Sequence, residues 1–229
     1  LSKLKAEPFE YDILICDADP SKRDDLNDGT GRNSKKECVL PDVMLSSLKR
    51  INPTIEEDKI KEIVKTLRQD YTGTDIVDTN YKLYRQIRNN IKITVRRNGK
   101  EDFDFVKLID FEHPKNNTFT AVSQMWIQGR VYYRRPDILI FVNGMPLVFI
   151  ELKNSIVKVE EAYNKNLKDY MRDIPNLFAF NQICVLSNGL ETKLGAFNAT
   201  YDYFFEWLKV DSEKEKLDRE AILAADNVK

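Results

Sequence analysis

Apolar and polar positions change period twice along this chain of 229 residues. Over residues 39–48, Val39, Leu40, Val43, Met44 and Leu48 recur at helical spacing, with Pro41 tolerated in a first turn. Asn52-Pro53 breaks that pattern. Thr54 followed by Glu57 has capping-box spacing ahead of a second helix, whose one face carries Ile60, Ile63, Val64 and Leu67. A third helix is predicted over residues 80–89, burying Leu83, Tyr84 and Ile87. The period then drops to two: residues 91–95 alternate as a half-buried strand, and Arg97-Asn98-Gly99-Lys100 has turn composition. Residues 103–111, 119–127 and 130–133 offer further strand material. Residues 137–142 and 145–153 are two β-rich runs joined by Asn143-Gly144, the strongest hairpin signal in the chain. Beyond them the helical period returns over residues 157–172, with Val159, Ala162, Tyr163, Leu167 and Tyr170 on one side. Residues 183–186 predict a buried strand, and residues 201–208 a last amphipathic helix. The polar stretch 17–36 has the composition of a surface loop.

Strands bracketed by helices on both sides predict an α/β (or α+β) fold, a mixed sheet flanked by helices. Residues 1–90 form its mostly helical N-terminal part and 91–209 its core. Residues 210–229, charged and then Ala-rich, begin a linker. A hydrophobic content of 42% with 32% charged residues is ordinary for a chain that buries a real core. Net charge is −1, from 36 basic and 37 acidic residues. A domain that held nucleic acid by bulk charge would be basic, so such contact must rest on a local patch or on partners. Three widely spaced cysteines form no disulfide framework and point to a reducing, cytoplasmic setting. The longest apolar runs are too short to cross a membrane. The start lacks both a signal peptide and an initiator Met, as expected of a fragment.

The candidate chemistry lies in two segments, Arg134-Arg135-Pro136-Asp137 and Glu151-Leu152-Lys153. On a strand Glu151 and Lys153 share one face and Leu152 takes the other. The hairpin turn carries Asp137 back toward them, so two carboxylates and an amine converge at one sheet edge. That set suits phosphodiester hydrolysis. Carboxylates are hard ligands for Mg²⁺, with Mn²⁺ an alternative. The ion polarises the phosphoryl oxygen and lowers the pKa of its water, and an ammonium steadies the developing negative charge. The pattern equally suits a solvated strand face with cross-strand ion pairs, with Asp137 merely entering a strand. The apolar runs around both acids favour the functional reading. His113 is the single histidine, which excludes His-based triads and multi-His metal sites. Trp126 and Trp207 suit the core.

At these residues the sequence resembles the PD-(D/E)xK nuclease superfamily, and more closely the N-terminal nuclease domain of the restriction (R) subunit of type I restriction-modification enzymes. The longer match runs through Leu108-Ile109-Asp110-Phe111-Glu112-His113-Pro114, Arg134-Arg135-Pro136-Asp137, Asn143-Gly144-Met145-Pro146-Leu147 and Glu151-Leu152-Lys153-Asn154, over residues 39–200. The resemblance implies a restriction-endonuclease-like fold, with Asp137 and Glu151 as metal ligands and Lys153 as the catalytic lysine. It also implies a Gln-x-x-x-Tyr motif on the following helix. Tyr170 fits, while Asn166 stands where Gln is expected, the same amide on a shorter stem; a surface helix with Tyr170 in the core is the alternative. Arg134 and Arg135 are candidates for DNA phosphates, or simply a charged strand end. The family's upstream Glu has no match here, and Glu7 and Glu10 are left unassigned.

The expected function is thus the endonuclease domain of a type I restriction enzyme R subunit, hydrolysing double-stranded DNA with Mg²⁺. Methyltransferase (M) and specificity (S) subunits would be partners. ATP would act only through a motor domain outside this chain, since no phosphate-binding P-loop occurs here and Gly29-Thr30-Gly31-Arg32 is only a polar loop. The alternatives are a non-catalytic docking or DNA-binding domain of the same fold, and another nuclease of the superfamily in repair or phage defence.

Overall fold

A computed structural model describes residues 1–6 and 9–207 of the chain. After α1 (Ser2–Lys5) and β1 (Asp12–Ile15), a loop with a short 3₁₀ turn leads into three helices, α2 (Pro41–Ile51), α3 (Glu57–Leu67) and α4 (Ile76–Asn89). A ribbon of β2 (Ile91–Arg97) and β3 (Lys100–Val106) follows, turning at Asn98 and Gly99, both at positive φ. Next come β4 (Phe119–Ser123), a small hairpin of β5 (Ile127–Gln128) and β6 (Tyr133–Arg134), and the long hairpin of β7 (Ile138–Val142) and β8 (Met145–Leu152). One continuous helix then runs through α5 (Val159–Glu161), a π-helical turn (Ala162–Leu167) and α6 (Lys168–Asp173). The chain closes with β9 (Ile183–Ser187), β10 (Thr192–Gly195) and β11 (Phe205–Glu206).

Seven strands form one mixed sheet in the order β1-β4-β7-β8-β9-β10-β11, parallel at β1·β4 and β8·β9 and antiparallel elsewhere. Helices flank it, as the sequence predicts. One core joins Leu139, Phe141, Phe149, Cys184 and Leu186 of the strands to Val159, Tyr163, Leu167 and Tyr170 of the long helix. A second joins Met44, Leu48, Ile60, Val64, Leu83 and Ile87 of α2–α4 to Met145 and Val106. The Asn143-Gly144 turn stands at positive φ at both residues. Asn143 is fully buried and bonds to Leu108 O, Thr118 N and Asn117 Oδ1, and Gly144 lies against the backbone of α2.

Several expectations need correction. Residues 201–208 do not form a helix: a 3₁₀ turn (Tyr201–Tyr203) leads into β11, which pairs with β10, and Leu208 lies outside the described residues, as does the expected linker at 210–229. The period there is two, with Phe204 buried against Tyr163 and Phe205 outside. Trp207 is 57% exposed, not core, and Tyr84 is also exposed, on the outer side of α4. Thr54 caps nothing, because α3 begins two residues later than expected, with Glu56 at its N-cap. Strand β3 stops at Val106, and Gln124, at φ 60°, ends β4 before the expected strand reaches 127. Of residues 130–133 only Tyr133 is in a strand. The polar 17–36 loop hides a buried charge cluster. The ammonium of Lys35 and the guanidinium of Arg32 both grip Asp28, at 2.6 and 2.9 Å, with all three side chains at most 8% exposed.

Candidate active site

The β7–β8 hairpin positions the acids, but not by its turn alone. From Asn143-Gly144 the strands pair as Val142 with Met145 and Phe141 with Pro146. The register then slips by one, so that Ile140 pairs with Val148 and Ile138 with Ile150. This β-bulge at Leu147 has a large consequence: carried one residue on, the register sets Asp137 across from Glu151 rather than from Ile150. Residues directly opposite share a face, whereas a one-residue slip would send the two acids to opposite faces. Proline, which has no N–H for the ladder, is at home beside such a bulge, and Pro146 sits there.

Asp137 is held on both oxygens. Its Oδ2 accepts from the N–H of Leu152 at 2.8 Å, and its Oδ1 from the amide of Gln124 at 3.1 Å. The positive φ of Gln124 turns that side chain inward while its N–H bonds the Asp137 carbonyl at 3.0 Å. Glu151 follows Phe149 on the face covered by the long helix and is 3% exposed. Its Oε1 accepts from Asn166 at 2.5 Å and lies 3.5 Å from the ammonium of Lys153. Its Oε2 is buried and has no hydrogen-bond partner. Burial, and then the negative charge of Asp137, push the Glu151 carboxyl up to about 7, with Lys153 opposing.

Asn166 lies in the π-helical turn, a rare form that recurs at functional sites. Its short stem reaches Glu151 nonetheless. Tyr170, four residues on, is buried edge-on against Phe149, with ring centroids 5.6 Å apart, and its hydroxyl donates to the Arg135 carbonyl at 3.3 Å. Burial and the nearby Glu151 raise its pKa. Asp137, Glu151, Lys153, Asn166 and Tyr170 therefore meet at one end of β7 and β8. Arg134 and Arg135 border them with partners inside the protein. Arg134 pairs with Asp173 and with Asp169, at 3.3 Å to the latter; Arg135 donates to Ala18 O and packs over Trp126. Gln124 and the Asp169–Asp173 pair were not foreseen, since nothing local in sequence marks a positive-φ Gln or a contact 39 residues away.

A second acidic group, Asp110, Glu112 and His113, lies within ligand distance of one another at the other end of the chain's folded strands. Asp110 serves its own loop there, accepting from His113 N and the amide of Asn116.

The sequence pattern of the type I restriction enzyme R protein N terminus matches residues 7–203, most of the chain. The chain belongs to that family. Among relatives of this R-protein N-terminal domain, the type I restriction enzyme HindI endonuclease subunit of Haemophilus influenzae is 35% identical over 182 residues, 78% of this chain and 17% of that protein. A Methanocaldococcus jannaschii protein provisionally named type I restriction enzyme MjaIXP endonuclease subunit is 34% identical over 194 residues, 80% of this chain and 18% of that protein. The domain thus spans less than a fifth of the length of these curated relatives.

Proposed function

We propose that this R-protein N-terminal domain is the DNA-cutting part of a type I restriction enzyme, with Asp137 and Glu151 holding Mg²⁺ (or Mn²⁺) and Lys153 acting on the phosphate. The observation that carries the reading is the Glu151 carboxylate. A buried oxygen without a partner is costly, and here it stands across the hairpin from a second carboxylate. A bound cation would satisfy that oxygen and offset both the burial and the Asp137 repulsion that lift the Glu151 pKa. The donor set, carboxylate oxygens alone, is the chemistry a hard divalent ion selects. Bound there, such an ion supplies Lewis acidity at the phosphate and a water of lowered pKa.

The chain's own groups have distinct work. The Leu152 N–H and Gln124 amide fix Asp137, so that its position needs no rearrangement on binding. Asn166 and Lys153 both take Oε1 of Glu151, which leaves Oε2 as its free ligand oxygen. Lys153, partly exposed at the rim, is placed to stabilise negative charge on the scissile phosphate. Tyr170 packs behind Glu151 and closes that side against water. Arg134 and Arg135 are proposed to meet neighbouring DNA phosphates, Arg134 while braced by Asp169 and Asp173.

In the longer protein, cleavage of double-stranded DNA would be coupled to ATP-driven translocation by a motor outside this chain, with M and S subunits choosing the site. The test is plasmid cleavage by the domain joined to its natural downstream sequence, with partner subunits, ATP and Mg²⁺. Asp137→Ala and Lys153→Ala are expected to abolish cutting and keep ATPase activity; equal cutting by wild type and variants would refute the assignment.

A further inference from the structure

The sheet end that carries Asp137 also carries a second concavity. β1 ends at Ile15, level with Ser123 of β4, whose partner on β7 is Ile138, next to Asp137. Just beyond Ile15 opens a cavity of about 280 Å³, walled by Asp17, Lys22, Asp25, Asn27, Lys35 and Trp126. Strands lie about 4.8 Å apart, so two spacings place β1 roughly 10 Å from β7, about three base steps along a duplex.

The chemistry of the wall limits the occupant. Lys35 is committed to Asp28 at 2.6 Å, and Arg32 behind it to the same carboxylate. An incoming phosphate would find Lys22 but also the carboxylates of Asp17 and Asp25. Each of these uses Oδ1 for a backbone N–H, of Asp19 and Asn27, both at 2.9 Å, and keeps a second oxygen for an outside donor. The indole of Trp126 is fixed by its N–H to Asp17 O at 3.0 Å and by the Arg135 guanidinium 5.1 Å from its ring centre. A rigid aromatic wall, acceptor oxygens and an amide, in a space at the low end of ligand pockets, suit a flat neutral heterocycle with exocyclic amines.

We infer that this cavity receives an unpaired nucleobase of the DNA strand being cut, stacked on Trp126 with its amine on Asp25. The inference rests on the nuclease reading above. A base already out of the duplex would be preferred, because unpairing a base costs free energy that an unpaired one does not. Loss of one base–aromatic stack corresponds to about 5- to 150-fold in affinity.

The experiment uses the whole chain in EDTA with two 20-nucleotide duplexes carrying 2-aminopurine, one base-paired to thymine and one in a single-base bulge. Affinity is read by anisotropy, and base capture by 2-aminopurine emission. The bulged duplex is expected to bind about tenfold tighter or better with its emission quenched. Trp126→Leu and the surface change Asp25→Ala, which leaves no side-chain acceptor, should each erase that preference. Equal affinity for the two duplexes, a preference that survives Asp25→Ala and Trp126→Leu, or displacement of the base by inorganic phosphate but not by adenosine would overturn the inference. Plasmid cleavage separates the two proposals. No bulge preference with cutting still lost in Asp137→Ala sinks the pocket alone, whereas a bulge preference with cutting kept in Asp137→Ala sinks the nuclease assignment alone.

Discussion

Glu151 titrates against the fold in the absence of metal, and the effect is measurable. Its carboxyl is raised from 4.5 to about 7 by burial and by Asp137. The sign follows from where the proton binds. Below pH 4.5 the group is protonated in both folded and unfolded chains. Between 4.5 and 7 the unfolded chain ionises it while the folded chain keeps the proton, so stability falls as pH rises and levels off above 7. A gap of that width corresponds to roughly 3 kcal/mol, and with the side chain only 4% exposed solvent screening takes little from it. Glu151→Gln keeps the shape of the protonated form and cannot ionise. Urea unfolding of both proteins in EDTA at pH 4 and pH 8 should therefore show wild type losing about 3 kcal/mol relative to the variant across that range. Millimolar Mg²⁺ should return stability to wild type alone at pH 8, by about 1.4 kcal/mol at a tenfold excess over Kd. A difference between the proteins that stays constant with pH, or a wild type more stable than Glu151→Gln at pH 8 in EDTA, would refute the reasoning.

Asp28→Ala strips the carboxylate that pairs with buried Arg32 and Lys35, and should destabilise by about 3–5 kcal/mol in urea titration at pH 7. The Asp28 carboxyl is held down at about 2, so its stabilising contribution is present at neutral pH and is lost only as pH falls from about 4 toward 2. Gly144→Ala places a Cβ 2.5 Å from the Leu40 carbonyl at a φ of +79°, and a loss of about 2 kcal/mol or more is expected by thermal unfolding. Asn166→Ala should reduce Mg²⁺-dependent cleavage by about 10- to 100-fold while the fold persists, and Asn166→Asp, which sets a third charge beside Glu151, should be worse at pH 8 than at pH 6.

What the sequence reveals here and what it hides divide along a physical line. Strand alternation and an Asn-Gly turn are local rules, each settled by neighbours in the chain, and they placed Glu151 with Lys153 on one face and brought Asp137 back to the same sheet end, though not the register that aligns it with Glu151. The helix over 157–172 was legible for the same reason, although its π-helical turn was not, since apolar spacing does not register one extra residue in a turn. Residues 201–208 failed because their apolar positions satisfy both a helical and a strand period, and pairing with β10, a partner distant in sequence, decided the matter.

The bulge at Leu147 shows how such hidden features still govern the site. A two-residue turn with unbroken pairing sets Asp137 opposite Ile150, and the acids then face opposite layers. The convergence inferred from the turn alone was therefore reached through an incomplete argument. The local clue was Pro146, second in β8, which has no N–H to give the ladder of a central strand and so signals an irregularity at that point. Deleting Leu147 should remove the bulge without moving the acids, because Ile140 then follows Phe141 directly, still opposite Val148, and Asp137 stays across from Glu151. Inserting one residue after Val148 instead carries Glu151 one place out of register with Asp137, and the Asp137-driven part of the rise in the Glu151 pKa should vanish with it. A chain with that insertion that still folds and still binds Mg²⁺ through both carboxylates would show that the strand register is not what aligns them.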